Sequence, residues 1–312
     1  VIFMKILITG GMGFIGSHVV AALGDVYDID ILDGFDRQYM SYKHIYRGTR
    51  GLQETNDIEK RHREINLKYR LNLIKGKFKE FHRGWSFNNL PKKDYDIILN
   101  FGGLSEAILS KYFVQFTKDS IVKGMRNLKA YYPNTPFLHI SSSMVYGTWQ
   151  NKIDEKYPVK SVDLYGNCKI NAEKLCGKND IILRPIHVYG IGDGKYPIWM
   201  NIERQMSVNK PVLVEEASCI YIEDFVIAIK NILDKWISGT YNISYGFTRT
   251  AEVLKTVYPL DFQSESKLGP TGKPRGTLDC NKLLKTFDIK FKYSNYEDTI
   301  RDYYERYETM LR

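Results

Sequence analysis

The sequence predicts an α/β fold that combines a doubly wound parallel sheet with a smaller C-terminal α/β lobe. Short apolar runs rich in β-branched residues alternate with helical stretches over the first 185 residues. A glycine-rich turn follows the first of these runs, and polar residues follow several later ones. Such alternation is typical of parallel sheets covered by helices, which bind their ligands at the carboxyl ends of the strands.

The first predicted element is a buried strand that leads into a glycine-rich turn. The strand, residues 4–9, is followed by Gly10, Gly13 and Gly16, which recur at every third position. The first glycine permits a tight turn, the second leaves room for a pyrophosphate, and the third lets the next helix pack closely on the sheet. A helix predicted over 14–23 would point its N-terminal amides at the phosphates, so the sequence predicts a dinucleotide-binding turn of the Rossmann type.

The second strand places an acid where the adenosine ribose of the dinucleotide would lie. Residues 28–32 form this strand, and Asp33 stands 23 residues after Gly10. A carboxylate at that distance accepts hydrogen bonds from ribose hydroxyls and would repel a 2′-phosphate. Asp33 therefore favours NAD over NADP as the cofactor, while the nearby Arg37 leaves NADP open.

The net charge of +9 arises in one segment of the chain. Between Lys43 and Lys93 stand 14 Lys and Arg against five Asp and Glu, so the remainder of the chain is neutral. This basic segment includes a predicted helix over 57–73 and a predicted strand over 77–82. We favour a solvated surface over a nucleic-acid patch, and a third interpretation is long-range attraction of an anionic nucleotide substrate.

Composition indicates an ordinary globular protein. Apolar residues make up 43% and charged residues 26% of the 312 residues, and no apolar run reaches membrane-spanning length. The four cysteines form neither a CxxC pair nor a zinc-like cluster. We therefore expect reduced thiols, a cytoplasmic location, no membrane partner and no metal.

Later strands bring further polar residues to the same edge of the predicted sheet. Strands are predicted over 95–100, 137–141 and 181–184, and helices over 114–131 and 166–177. The segment 101–103, Phe-Gly-Gly, follows the first of these strands, and Ser142 and Ser143 follow the second. Because parallel strands end at one edge, these groups should meet the glycine turn there.

Tyr165 and Lys169 form a candidate proton-relay pair. They are four residues apart at the start of the helix predicted from about residue 166, and on a helix they would share one face. A neighbouring ammonium favours the phenolate form of a tyrosine, so Tyr165 could remove a hydroxyl proton while hydride leaves the same carbon. Lys169 could also hold the nicotinamide ribose, and Ser142, 23 residues before Tyr165, could hold the substrate oxygen.

The C-terminal part contains predicted helices over 224–233, 250–257, 279–285 and 295–311. We place the domain boundary near Pro185, with an NAD(P)-binding domain over 1–185 and a substrate-binding lobe over 186–312. The two are expected to be interleaved, because strands from the second part pack on the first.

The chain resembles the extended short-chain dehydrogenases/reductases, the family of NAD-dependent nucleotide-sugar epimerases and dehydratases. The matching landmarks run nearly from end to end. They are the segments 9–16, 100–103, 142–147, 165–169, 183–190, 221–224 and 241–243, together with Asp33. The resemblance implies an N-terminal NAD(P) domain, a smaller lobe for the sugar nucleotide, and a homodimer formed through a helix bundle that includes the Tyr165 helix.

The resemblance also implies roles for individual residues. Catalysis is expected from Ser142, Tyr165 and Lys169. Residues expected to contact the cofactor are Gly10, Gly13, Phe14, Ile15, Gly16, Asp33, Phe101, Gly102, Gly103, Ser141, Tyr165, Lys169, Pro185, His187 and Val188. Residues expected to contact the substrate are Ser105, Ser142, Ser143 and His187.

Departures from the family pattern narrow the reaction. Dehydratases of the family carry Asp and Glu where this chain has Ser143 and Met144, so an acid for water elimination is missing. The GDP-fucose-synthase branch has Cys at the position of Met144, paired with a later His; neither is evident here, so epimerisation at C3 and C5 is not expected. His187 stands where Asn is usual, Ala217 where Arg is usual, and Trp85 where an acid usually faces the adenine. Arg184, Lys273 or Arg275 are candidates for the missing positive charge.

The sequence therefore predicts an NAD-dependent epimerase that acts on a nucleotide-activated sugar through transient oxidation at C4. The enzymatic alternative is an NAD(P)H-dependent reductase of a keto sugar nucleotide. An alternative of another class is a non-catalytic NAD(P)-binding scaffold or sensor, for which His187 and Ala217 are the motivation.

Overall fold

The structure of the protein is a computed structural model that describes residues 4–34, 53–105, 107–149, 151–193, 212–215, 217–246, 248–249, 251–257, 262–265 and 276–311. Arg37, Lys273 and Arg275, which the sequence singled out, lie outside these residues.

Many of the strands form where the sequence is apolar and β-branched, as in Ile97–Asn100, whereas Glu80–Arg83 is mostly polar. In chain order they are β1 Lys5–Thr9, β2 Asp28–Asp33, β3 Glu80–Arg83, β4 Ile97–Asn100, β5 Phe137–Ile140, β6 Ile181–Pro185, β7 Val188–Tyr189, β8 Val212–Glu215, β9 Ala217–Ser218, β10 Ile220–Tyr221, β11 Gly239–Ile243, β12 Thr248–Arg249 and β13 Phe262–Glu265.

Within the described residues, seven of these strands form one parallel sheet in the order β11-β6-β5-β4-β1-β2-β3. The order reverses between β1 and β4, which is the point where doubly wound sheets bind their ligands. The predicted doubly wound parallel sheet is therefore confirmed. Strands β7 to β10, β12 and β13 form two-stranded pairs outside it.

The helices are α1 Phe14–Leu23, α2 Gln53–Leu73, α3 Ala107–Tyr112, α4 Val114–Lys118, α5 Gly124–Tyr131, α6 Leu164–Glu173, α7 Ile222–Lys235, α8 Ala251–Val257, α9 Asn281–Phe287 and α10 Tyr296–Leu311. The helix predicted over 114–131 is divided by a π-helical turn, Asp119–Lys123. A 3₁₀ turn, Ser143–Tyr146, follows β5.

Local chemistry fixes several helix ends. The Asp163 carboxylate accepts a hydrogen bond from the Gly166 amide at 2.8 Å, so α6 begins before Tyr165 rather than after it as predicted. Helix α7 carries Glu223 and Asp224 in its first turn, where the helix dipole favours acids. None of the described helices is both long and apolar enough to cross a membrane.

Candidate active site

The carboxyl ends of four neighbouring strands lie at one edge of the sheet. Thr9 of β1 is in register with Asn100 of β4, and Asn100 is in register with His139 of β5. Ile140 of β5 is in register with Leu183 of β6. The turns that follow these strands carry most of the site residues that the sequence predicted, so the topology gathers them along this edge.

The glycine turn after β1 leaves a cradle that side chains would fill. Gly10 has φ of +70°, and a Cβ on it would lie 2.8 Å from the Gly102 nitrogen. A Cβ on Gly16 would lie 2.2 Å from the Gly10 carbonyl oxygen, so only glycine lets α1 approach the turn. Gly13, the N-cap of α1, has no side chain that could cap the helix, and the first turn of α1 carries no acid. The backbone amides at the N-terminus of α1 therefore fit an anionic pyrophosphate.

Asp33 lies beside this turn at the end of β2. Its Oδ2 atom accepts a hydrogen bond from the Met12 amide at 2.9 Å. Trp85, which follows β3, is half-buried, and a Cβ on Gly34 would lie 2.1 Å from its Cε2 atom. Trp85 packs edge-on against Phe116, with 5.1 Å between the ring centroids. The acid and the indole predicted at the adenosine end are thus neighbours.

The Phe101-Gly102-Gly103 segment packs directly on the glycine turn. The Gly102 amide donates to Thr9 Oγ1 at 3.0 Å, and the Phe101 amide donates to the Thr9 carbonyl at 3.1 Å. Gly103 has φ of +117°, a conformation that favours glycine. Ser105, which the sequence assigned to the substrate, is exposed just beyond this segment.

Ser142, Tyr165 and Lys169 are all buried near the end of β5, with exposed fractions of 8%, 6% and 5%. Lys169 Nζ donates to the Ile140 carbonyl at 2.8 Å and lies 5.8 Å from the centre of the Tyr165 ring. Ser142 caps the 3₁₀ turn, because its Oγ atom accepts a hydrogen bond from the Met144 amide at 3.2 Å.

Helix α6 lies tightly against the 3₁₀ turn that Ser142 begins. A Cβ on Gly166 would lie 2.6 Å from the Met144 carbonyl oxygen, so glycine after Tyr165 allows this approach. The fold therefore brings the end of β5, the 3₁₀ turn and the Tyr165 helix into one cluster.

Ser141 and Ser143 are both buried beside Ser142. The Ser141 hydroxyl donates to the Glu173 carboxylate, and its amide donates to the Leu183 carbonyl at 2.7 Å. The side chain of Ser141, which the sequence assigned to the cofactor, is therefore engaged with α6.

A buried ion pair links the elements that carry these residues, and the sequence did not indicate its role. Glu173, one helical turn after Lys169, accepts hydrogen bonds from Arg184 Nε at 2.9 Å and Nη2 at 2.6 Å. Arg184 Nη1 donates to the Tyr146 hydroxyl at 2.9 Å. Burial by itself lowers the pKa of the Arg184 guanidinium. The hydrogen bonds and the negative charge of Glu173 have the larger combined effect, so the pKa is raised. Arg184 is thus committed to this network.

The residues after β6 lie further along the edge. Pro185 is buried and in register with Ile243 of β11. The His187 side chain is half-buried, and its carbonyl accepts a hydrogen bond from the Ile220 amide at 2.8 Å. Val188 begins the short pair of β7 with β10. The structure describes the segment after β7 as far as Asp193.

His139 contributes a neutral imidazole beneath the cluster. Its Nδ1 atom accepts a hydrogen bond from the Asn100 side-chain amide at 3.1 Å. Burial, together with the nearby Lys169 charge, holds the pKa of His139 well below its usual range. The imidazole therefore adds no second positive charge beside Lys169.

Residues 6–244 match the sequence model of the NAD dependent epimerase/dehydratase family. The chain belongs to this family. Proteins similar to it in sequence or in fold include some named as nucleotide-sugar epimerases and dehydratases.

One relative by sequence is an uncharacterized UDP-glucose epimerase, YtcB, of Bacillus subtilis strain 168. It is 28% identical over 280 residues, which cover 81% of this chain and 80% of that protein.

Two solved structures share the fold. UDP-glucuronic acid 4-epimerase from Bacillus cereus, in complex with UDP-glucuronic acid and NAD, has a TM-score of 0.77 at 20% identity, with 98% of this chain and 100% of that one covered. The dTDP-glucose 4,6-dehydratase DesIV from Streptomyces venezuelae, with NAD bound, has a TM-score of 0.72 at 17% identity, covering 98% and 97%.

Proposed function

We propose that the protein is an NAD-dependent epimerase that inverts C4 of a nucleotide-activated sugar. The observation that carries the proposal is the burial of Ser142, Tyr165 and Lys169 in one cluster at the carboxyl end of β5. The names of similar proteins, a UDP-glucose epimerase and a UDP-glucuronic acid 4-epimerase, support this substrate class.

The glycine turn and its neighbours would hold the cofactor. The uncapped amides of α1 would bind the pyrophosphate, Asp33 the adenosine ribose, and Lys169 the nicotinamide ribose. When bound, the nicotinamide supplies a hydride acceptor that can return the hydride. The carboxylate of Asp33 would repel the 2′-phosphate of NADP, so NAD is the proposed form.

The protein's own residues would handle the proton and the sugar oxygen. Tyr165 would take the proton of the C4 hydroxyl and give it back after the sugar has presented its other face. The Lys169 ammonium, 5.8 Å from the tyrosine ring, would stabilise negative charge on the phenolic oxygen. Ser142 would hold the C4 oxygen by a hydrogen bond.

The absence of an acid after Ser142 argues for epimerisation rather than dehydration. Ser143 is buried and Met144 is half-buried, and neither can protonate a leaving hydroxyl as a carboxylic acid could. The proposal also includes a homodimer, as the family resemblance implies, and a cytoplasmic location, as the cysteine usage indicates.

Replacement of Tyr165 by Phe tests the proposal. We expect C4 epimerisation of UDP-glucose or UDP-glucuronic acid, followed by chromatography, to fall by about 10²–10⁴-fold because the proton acceptor is lost. NAD binding, measured by calorimetry, should persist, since the glycine turn is untouched. Tyr131→Phe is the matched control, because that tyrosine is 48% exposed on α5.

Three outcomes would contradict the epimerase. Full activity of Tyr165→Phe would remove the tyrosine from the mechanism. Stoichiometric consumption of NAD(P)H by the wild type with a keto sugar nucleotide would indicate the reductase. NAD binding without turnover of UDP-, dTDP- or GDP-sugars would indicate the scaffold.

A further inference from the structure

Helix α2 of the basic segment presents a buried polar face that the solvated-surface interpretation does not explain. His62, Asn66 and Arg70 recur at every fourth position of this helix, and their exposed fractions are 2%, 1% and 6%. Residues with this spacing share one face of a helix. Burying three polar groups is costly unless each has partners, so their partners indicate what the face does.

Asn66 and Arg70 together hold the peptide groups of Gly192. Asn66 Oδ1 accepts a hydrogen bond from the Gly192 amide at 3.0 Å, and Arg70 Nη1 donates to the Gly192 carbonyl at 2.5 Å. Gly192 has φ of +85°, and a Cβ on it would lie 3.1 Å from the Tyr69 ring. The amide and the carbonyl of Gly192 are therefore both hydrogen-bonded to side chains of α2, which hold the segment 190–193 against this helix.

Arg70 also contacts the glycine turn. Its Nε atom donates to the Met12 carbonyl at 3.2 Å, and the Met12 amide donates to Asp33 at 2.9 Å. One guanidinium thus joins the predicted pyrophosphate turn to the segment after β7. Burial lowers the pKa of Arg70, and the negative charges of Asp193 and Asp33 oppose this.

The other end of the polar face is anchored to the C-terminal helix. His62 Nδ1 is hydrogen-bonded to the Tyr307 hydroxyl of α10, and the two rings are stacked with 5.7 Å between centroids. Asn66 Nδ2 donates to the His62 carbonyl at 2.8 Å. Helix α2 is therefore fixed in position, so Arg70 approaches the turn from a rigid support.

We propose that Arg70 is a positioning residue that sets the conformation of the glycine turn, and that the Asn66–Gly192 contact makes NAD affinity depend on the segment 190–193. This inference rests on the proposed function, because it takes NAD as the ligand of the turn. Arg70 acts through Met12 and Gly192 and is not itself a catalytic residue.

Calorimetric titration of NAD into purified variants tests the inference. We expect Arg70→Met to raise the Kd for NAD at least about tenfold, since it removes two charge-assisted hydrogen bonds to backbone carbonyls. Arg70→Lys should lie between the wild type and Arg70→Met, because an ammonium lacks the two-pronged geometry of the guanidinium. Lys68→Met, an exposed change on the same helix, should stay within about twofold.

Asn66→Leu separates positioning from mere stability. It leaves the Arg70–Met12 contact in place and removes the contact to Gly192, together with the Asn66 Nδ2 hydrogen bond to the His62 carbonyl within α2. We expect the Kd for NAD to rise about threefold to tenfold. At saturating NAD, kcat for the sugar nucleotide should remain within about threefold of wild type in every variant, since the Tyr165 cluster is untouched.

Unchanged NAD affinity in folded Arg70→Met would overturn the positioning role. Unchanged affinity in Asn66→Leu, or a lower melting temperature with unchanged affinity, would overturn the dependence on 190–193. If Arg70→Met does not fold, Arg70→Lys and Asn66→Leu decide the result in the same way. A wild-type protein that binds no NAD would overturn the proposed function together with this inference.

Discussion

At the scale of the residue, His18 on α1 shows how the packing around the glycine turn changes a side chain's ionisation. Its Nδ1 atom donates to the Phe14 carbonyl at 2.9 Å, and its ring lies against Phe14 and Tyr69. Burial lowers the pKa of His18 to about 4; the Phe14 hydrogen bond opposes this, and the Arg70 charge reinforces it. The imidazole is therefore neutral at neutral pH.

This pKa predicts a pH dependence of stability. The unfolded chain binds a proton at His18 below pH of about 6.5 and the folded chain only below about 4, so the free energy of unfolding falls as the pH decreases between these values. We expect His18 to account for a loss on the order of 2 kcal/mol, and His18→Gln to make the decrease shallower. Denaturant titrations from pH 4.5 to 7.5 measure the free energy of unfolding of both proteins. If it decreases with pH equally in the wild type and in His18→Gln, His18 is not the cause of the decrease.

At the scale of the element, α6 is fixed at both of its ends. Asp163 caps its first turn, and Glu173 in its last turn is paired with Arg184 of β6. Between them lie Tyr165 and Lys169, so the two anchors determine where the tyrosine meets the 3₁₀ turn. The Ser141 hydroxyl and the Tyr146 hydroxyl complete the same network.

Glu173→Gln should therefore destabilise the protein strongly. The change leaves Arg184 as a buried charge without its carboxylate, and we expect the free energy of unfolding to fall by about 3–5 kcal/mol. Glu297→Gln breaks a pair with Arg301 whose side chains are 40% and 51% exposed, and it should cost less than about 1 kcal/mol. Urea denaturation of both variants measures the difference. Equal effects would show that burial of the Glu173 pair is unimportant.

At the scale of the whole molecule, the two predicted domains share structure. Strand β11 pairs with β6 in the main sheet, and α7 packs on α1. The largest apolar cluster in the described part of the chain extends from Ile6 of β1 to Tyr307 of α10. The boundary near Pro185 stays a prediction. A division of the chain there would remove the partner strand of β6 and the helix that packs on α1.

A fragment of residues 1–185 should not fold cooperatively. Without the C-terminal part, β6 becomes an unpaired edge and the apolar surface of α1 loses the helix that covers it. We expect no sigmoidal denaturant transition by circular dichroism and no NAD binding, whereas the full chain should show both. A cooperative transition with NAD binding in the fragment would establish 1–185 as an autonomous domain.

Much of this site could be predicted because its signals are local. The glycine spacing at 10, 13 and 16 and the four-residue interval from Tyr165 to Lys169 depend on the geometry of one turn and one helix. The role of Glu173 could not be predicted, because nothing in the sequence around an acid at the end of a helix indicates that Arg184 is its partner. Arg70 was counted only as one charge of a basic segment.

The sequence by itself determined the alternation of strands and helices, the glycine turn, the acid after β2 and the Tyr-Lys helix, because these follow from periodicity and from the conformations that particular residues permit. Only the tertiary structure decided that α2 buries Asn66 and Arg70 against Gly192, that β11 returns to the sheet, and that Glu173 joins α6 to β6. These contacts join residues of different elements, from 11 positions apart for Glu173 and Arg184 to 126 for Asn66 and Gly192, and no local pattern encodes such a pairing.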